Sequence, residues 1–163
     1  LTAPIPGWLA HRPTTGGLVV PWITPRRTDG TYLFGAVDER RARTAFHGRL
    51  CGVCGRKLDR PLVVLVRDQD LVLQASFEPA LHPVCATYTR TNCPMVAGKQ
   101  ATYRSSPLRL DPNMIPGADA EQRQGTTAEN WYAVWLASYT VTRLYGHLAA
   151  SFRGRTPLRI RPV

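Results

Sequence analysis

Two short pairs, Cys51-Gly-Val-Cys54 and His82-Pro-Val-Cys85, hold the side chains best suited to chemistry in this sequence. Three thiols and an imidazole are the donors a tetrahedral zinc ion takes, and C-x2-C spacing sets two thiolates on one tight turn. The second pair repeats that spacing after 27 intervening residues. Glycine inside the first pair, and Gly55 directly after it, suit a knuckle whose backbone N–H groups turn toward sulfur. Competing readings are core cysteines, a disulfide, or a redox C-x2-C. None of these calls for a His-x2-Cys pair downstream. The expectation is a structural zinc held by Cys51, Cys54, His82 and Cys85. Cys93 stands eight residues past Cys85. In a continuous helix that is about 12 Å, out of reach of one ion with Zn–S bonds of about 2.3 Å. A helix broken near Thr91 would let Cys93 displace His82.

Catalytic groupings are thin. Four protein ligands close a zinc site, whereas catalytic zinc keeps an open position. A metal-dependent nuclease on this scaffold needs a histidine base on or near the segment between the pairs, and Leu62–Ser76 contains neither His nor Asn. His11, His47 and His147 are isolated in sequence, and Asp68 and Asp70 read as turn formers. No nucleophile elbow, phosphate-cradling glycine loop or H-E-x-x-H is present. The reading leans away from an enzyme and places the nuclease last.

The elements that must position the ligands follow from pattern. Residues 1–15 are proline-punctuated and extended, with Trp8 expected to anchor them. Gly17–Thr24 and Thr31–Phe34 read as a hairpin across the Pro25–Gly30 turn. Asp38 opens a helix from Glu39 to about Gly48, with Ala42, Ala45, Phe46 and Leu50 as its apolar stripe and Arg40, Arg41 and Arg43 mostly off it. Pro61–Val66 and Leu71–Ser76 read as a second hairpin. Pro83 then starts a helix to about Asn92, with Pro94 just beyond. Knuckle, hairpin and helix in that order describe a treble clef. Residues 98–130 read as a long loop with a short turn near Asp119–Gln124. Asn130–Thr142, Gly146–Phe152 and Pro157–Arg161 read as strands. In the last, Leu158, Ile160 and Pro162 alternate with Arg159 and Arg161, giving one buried and one cationic face. The fold class is thus α+β: a treble-clef-like core (51–97) between an N-terminal hairpin and helix (1–50), a loop (98–130) and C-terminal strands (131–163), in a single domain.

With Cys51-Gly-Val-Cys54-Gly55, His82-Pro-Val-Cys85-Ala86-Thr-Tyr88, Cys93-Pro94 and the N-terminal Pro4-Ile-Pro6-x-Trp8 in view, the chain resembles a family of small bacterial and phage-borne proteins that share this pattern. The resemblance implies a treble-clef zinc site and carries no activity with it.

Composition bounds the partners. The chain has 163 residues, 44% hydrophobic and 20% charged, as folded globular proteins do. No apolar run of about 18 residues predicts a membrane span, and the N-terminus lacks a signal peptide's pattern. A reducing cytoplasm is the expected setting, which suits thiolate ligation. Net charge is +10, from 21 basic against 11 acidic residues, and only Lys57 and Lys99 are lysines. Arginine forks phosphate, so DNA or RNA is the first expectation for a partner, through Arg40, Arg41, Arg43, Arg56, Lys57, Arg159 and Arg161. An arginine bias also follows from a GC-rich genome, so the sign of the charge carries more weight than the arginine share. Trp131, Tyr132, Trp135 and Tyr139 either pack the core or stack bases. The alternative is a protein-interaction module, a phage or mobile-element accessory that meets an acidic partner.

Overall fold

In a computed structural model the protein is described over residues 4–106, 108–118 and 120–163. Local signals hold best in the two longer helices. Helix α1 spans Glu39–Gly48; Asp38 Oδ1 accepts the Arg41 N–H at 2.9 Å, and Ala42, Ala45 and Phe46 bury the expected stripe. The helix ends at Arg49, in the left-handed region with φ 58°. That uncommon conformation for a side-chain-bearing residue is offset by contacts. The Arg49 guanidinium donates to the Tyr139 carbonyl and lies 4.1 Å from its ring centre, while the Tyr139 hydroxyl donates to the Phe46 carbonyl at 2.7 Å. Helix α3, Pro83–Asn92, starts on its proline as expected, and Cys93 caps it.

The sheets depart from the expected hairpins. Within the expected Gly17–Thr24 strand, β2 (Leu18–Val19) forms but pairs back with β1 (Thr14–Thr15), and of the expected pairing across the Pro25–Gly30 turn an Arg26–Tyr32 bridge remains. Strand β3 (Ala36–Asp38) pairs with β6 (Met114–Pro116), so the 98–130 segment is not a free loop. It also carries a Thr102–Thr127 bridge and a short helix α4, Ala120–Arg123; Asp119, in the turn expected there, lies outside the described residues.

Strand β4, Leu62–Arg67, is buried along its whole length but does not turn back on itself. Helix α2, Asp68–Leu73, follows, and β5 (Ala75–Ser76) joins another sheet. The reason is electrostatic. Asp70 accepts the Arg67 N–H at 2.9 Å and binds its guanidinium at 2.9 and 3.0 Å, a buried pair that outweighs the strand preference of Leu71-Val-Leu73. Glu129 adds a contact to Arg67 at 3.5 Å.

Instead β4 pairs with β7 (Trp131–Leu136), which also pairs with β10 (Arg159–Pro162), giving the order β10–β7–β4. The expected long strand breaks after Leu136. Strand β8 (Thr140–Leu144) then pairs with β9 (His147–Ser151), and β9 with β5. Strand β10 has no buried face. Leu158 and Ile160 are about half exposed beside the exposed Arg159 and Arg161, and Pro162 is exposed with them, because neither face of β10 is covered by packing. The core gathers Leu9, Phe46, Val63, Val64, Val134, Leu136, Tyr139 and Phe152 around the three buried cysteines. The architecture is mixed α and β with several small sheets. Among the described residues, no helix is long and apolar enough to cross a membrane.

Candidate metal centre

The knuckle is built by backbone bonds that close 51–57 on itself. The Cys51 N–H donates to the Arg56 carbonyl at 2.8 Å, the Gly55 N–H donates to the Cys51 carbonyl at 2.9 Å, and Leu50 bridges Lys57. The Cys54 amide helps lower the Cys51 thiol, and the Arg56 amide acts in the same direction on Cys54. Gly55 sits at φ +76°, a conformation glycine adopts without strain.

In place of the expected hairpin, the segment before His82 joins the two ligand pairs. Leu81 exchanges two backbone bonds with Val63 of β4, at 2.9 and 2.8 Å, and the Gly52 N–H donates to the Ala80 carbonyl at 3.1 Å. Residues 80–81 are thereby fixed between knuckle and strand. His82 follows as the cap of α3, and Cys85 lies in that helix's first turn, where the positive end of the helix dipole favours a thiolate.

The ligand atoms of Cys51, Cys54, His82 and Cys85 all lie within 4.8 Å of one another, and all four residues are buried. Tetrahedral zinc with three sulfurs sets its donors about 3.8 Å apart, so the cluster has the size to hold a metal ion. His82 turns Nδ1 toward the Cys54 sulfur at 3.3 Å and Nε2 toward the Lys57 carbonyl at 2.8 Å. A ring whose far nitrogen donates to a carbonyl has the tautomer that offers Nδ1 as a ligand. All four cysteines are free thiols, and Cys93, half-buried at the end of α3, lies outside the cluster.

The electrostatics tell the same story. Hydrogen bonds from the Cys54 and Cys85 thiols, helped by His82, hold the Cys51 thiol far below its usual range. The bond to Cys51 leads the causes that push the thiols of Cys54 and Cys85 up, with burial adding to it, and the Cys51 thiolate raises His82. One sulfur takes the charge while its neighbours keep their protons, because adjacent thiolates repel. A central cation removes that conflict, since a coordinated thiol is deprotonated outright.

Two contributors escaped sequence reasoning. Leu9, not Trp8, is the buried N-terminal anchor; Trp8 is 41% exposed and stands edge-on to His82, ring centres 5.4 Å apart. His11, isolated in sequence, bonds through Nε2 to the Cys54 carbonyl at 3.0 Å and through Nδ1 to Arg56 at 3.3 Å. No spacing rule connects residues 43 positions apart, so nothing local signals this contact.

All seven basic residues singled out from the sequence are exposed. Arg43 pairs with Glu39 at 3.2 Å. Arg41 folds back onto Trp22, Arg56 onto Trp8, and Arg159 onto Trp135. The Lys57 ammonium donates to the Gly48 carbonyl at 2.9 Å, capping the end of α1. Tyr139 is fully buried, and Trp131, Tyr132 and Trp135 are half-buried against the core. Family models, curated proteins and solved structures were all compared with the chain, and none of them matches it.

Proposed function

We propose that this chain is a zinc-stabilised basic protein that binds nucleic acid with little sequence preference, its metal structural and its treble-clef-like site a scaffold. Three thiols and one imidazole favour zinc over the hard cations magnesium and calcium, and a set of four protein ligands leaves the ion no catalytic position. The observation that carries the binding reading is the exposure of Arg40, Arg41, Arg43, Arg56, Lys57, Arg159 and Arg161 together on a chain of net charge +10. Only Arg43 among them is joined to a described carboxylate, and that pair is more than half exposed, so solvent screens it.

Elemental analysis and a salt series test the two halves. Protein purified without chelator is expected to hold close to one zinc per chain; below about half an equivalent the metal assignment fails. Binding to mixed-sequence nucleic acid is expected to fall linearly on a log–log plot of affinity against salt, with a slope proportional to the phosphates neutralised. Absence of binding at low salt, or a flat slope, would overturn the nucleic-acid reading in favour of an acidic protein partner.

A further inference from the structure

The knuckle sits in a patch of alternating guanidiniums and rings. Arg56 lies 4.4 Å over Trp8, Arg41 5.3 Å over Trp22, and Arg26 5.7 Å over Tyr32. The first two pairs adjoin at Gly55–Arg56, and Arg26 follows Trp22 by four residues. The Trp22 ring packs so closely on Gly55 that a Cβ there would meet it at 2.7 Å, and Trp8 touches His82. Arg12, half-buried, is anchored on the backbone two residues before Trp22, and burial together with Arg41's like charge pulls it below the ordinary guanidinium range.

None of these four arginines lies within ion-pair distance of a described carboxylate. Each is instead held by neutral acceptors. Arg12 donates to the Val20 carbonyl at 3.1 Å, Arg26 to that of Gly30 at 3.0 Å, and Arg41 to that of Trp22 at 2.8 Å; Arg56 reaches the Trp8 carbonyl and His11, both at 3.3 Å. A guanidinium has five N–H donors, so every fork is oriented and still has donors to give. Clustering four like charges without a carboxylate raises the energy of the face, and an anion relieves it.

We infer that this face binds an unpaired polynucleotide strand, its phosphates on Arg12, Arg26, Arg41 and Arg56 and its bases stacked against Trp8, Trp22 and Tyr32. The inference rests on the nucleic-acid reading above and gives it a place and a strand state. Phosphates alone would need only the charge. Rings interleaved with the charges match bases that expose their faces, which duplex bases do not. The edge strand β10 is the rival surface, with Arg159 over Trp135 at 4.7 Å and Arg161 beside it, but it offers half as many guanidiniums.

The test uses the metal-loaded chain, fluorescein-labelled oligo-dT and oligo-U of about 15 nucleotides, and a duplex of equal length, between about 50 and 200 mM salt. Single strands are expected to bind at least about tenfold more tightly than duplex. The double substitution Arg12→Gln with Arg26→Gln, neither of them a metal ligand, is expected to weaken binding about tenfold at low salt and flatten the slope by about 1.4. Trp8→Ala is expected to cost about tenfold at every salt concentration, since stacking releases no counterion. Arg159→Gln with Arg161→Gln is expected to weaken binding by clearly less than the Arg12/Arg26 change does. Zinc content is measured for every variant, and should Trp8→Ala lose metal, the arginine pair decides. Equal or tighter duplex binding overturns the inference. So does single-strand binding that survives the Arg12/Arg26 change and falls with the Arg159/Arg161 change; in both cases the nucleic-acid reading stands. No binding to any of the three probes overturns both.

Discussion

At the scale of single residues, the knuckle depends on positions where a small change is expensive. Gly55 is held at φ +76° with the Trp22 ring where a Cβ would project, 2.7 Å from Cδ1 and 2.8 Å from Cγ. Gly55→Ala therefore combines a left-handed conformation with displacement of the Trp22 indole, which Arg41 approaches at 5.3 Å from the ring centre. We expect a loss of about 2–3 kcal/mol, read by urea denaturation of the metal-loaded protein, and an unchanged midpoint would contradict this geometry. The ligands themselves separate from their neighbour Cys93. Structural zinc supplies on the order of 10 kcal/mol in small domains, so Cys54→Ser should lose metal and soluble fold together. Cys93→Ser should keep a full equivalent of zinc and lose little stability, because Cys93 is half-buried and outside the cluster. Zinc lost from the Cys93 variant would mean that the ligand set is wrong.

At the scale of elements, what the sequence announces locally is what the structure contains. Helices α1 and α3 begin on Asp38 and Pro83, whose capping roles depend only on adjacent backbone, and the C-x2-C and His-x2-Cys pairs are equally local. The failures share a different origin. Leu71-Val-Leu73 has strand propensity, yet Asp70 captures both the backbone and the guanidinium of Arg67 and turns the chain into α2. Strand β10 keeps its alternation but has nothing to bury it, and β6 finds β3 across 78 positions, a pairing no window can display. The hinge of this element-level arrangement is the Arg67–Asp70 pair, with side chains only 3% and 4% exposed. Asp70→Ala removes the nearest carboxylate from a buried guanidinium and should destabilise the protein by about 3 kcal/mol. Circular dichroism at the same time should show reduced helix signal; a loss below about 1 kcal/mol would mean that solvent reaches the pair.

At the scale of the whole molecule, the candidate metal cluster and the hydrophobic core are one object. Cys51, Cys54 and Cys85 belong to the same buried cluster as Val63, Val64, Val134 and Phe152, and so do Leu9 and Val19 from the N-terminal segment. Loss of the ion would leave three thiols and an imidazole among apolar side chains, with repulsion limiting them to little negative charge and no cation to gather them. Chelation should therefore lower the melting temperature of the entire chain in one cooperative transition, rather than release a local loop while the β10–β7–β4 sheet stays folded. The effect has a predictable dependence on pH. In the metal-free cluster, hydrogen bonding to Cys51 and burial raise Cys54 and Cys85, and the Cys51 thiolate raises His82, so these groups hold protons that metal must displace. The loaded state carries fewer protons than the empty one, and acidification accordingly favours release. The melting-temperature gap between loaded and chelated protein should be widest above about pH 7 and close as pH falls toward about 5, with zinc appearing in solution over the same interval. Calorimetry on both forms across that range checks it: two separate transitions would divide the metal centre from the core, and a gap that widens on acidification would reverse the proton balance argued for Cys54, Cys85 and His82.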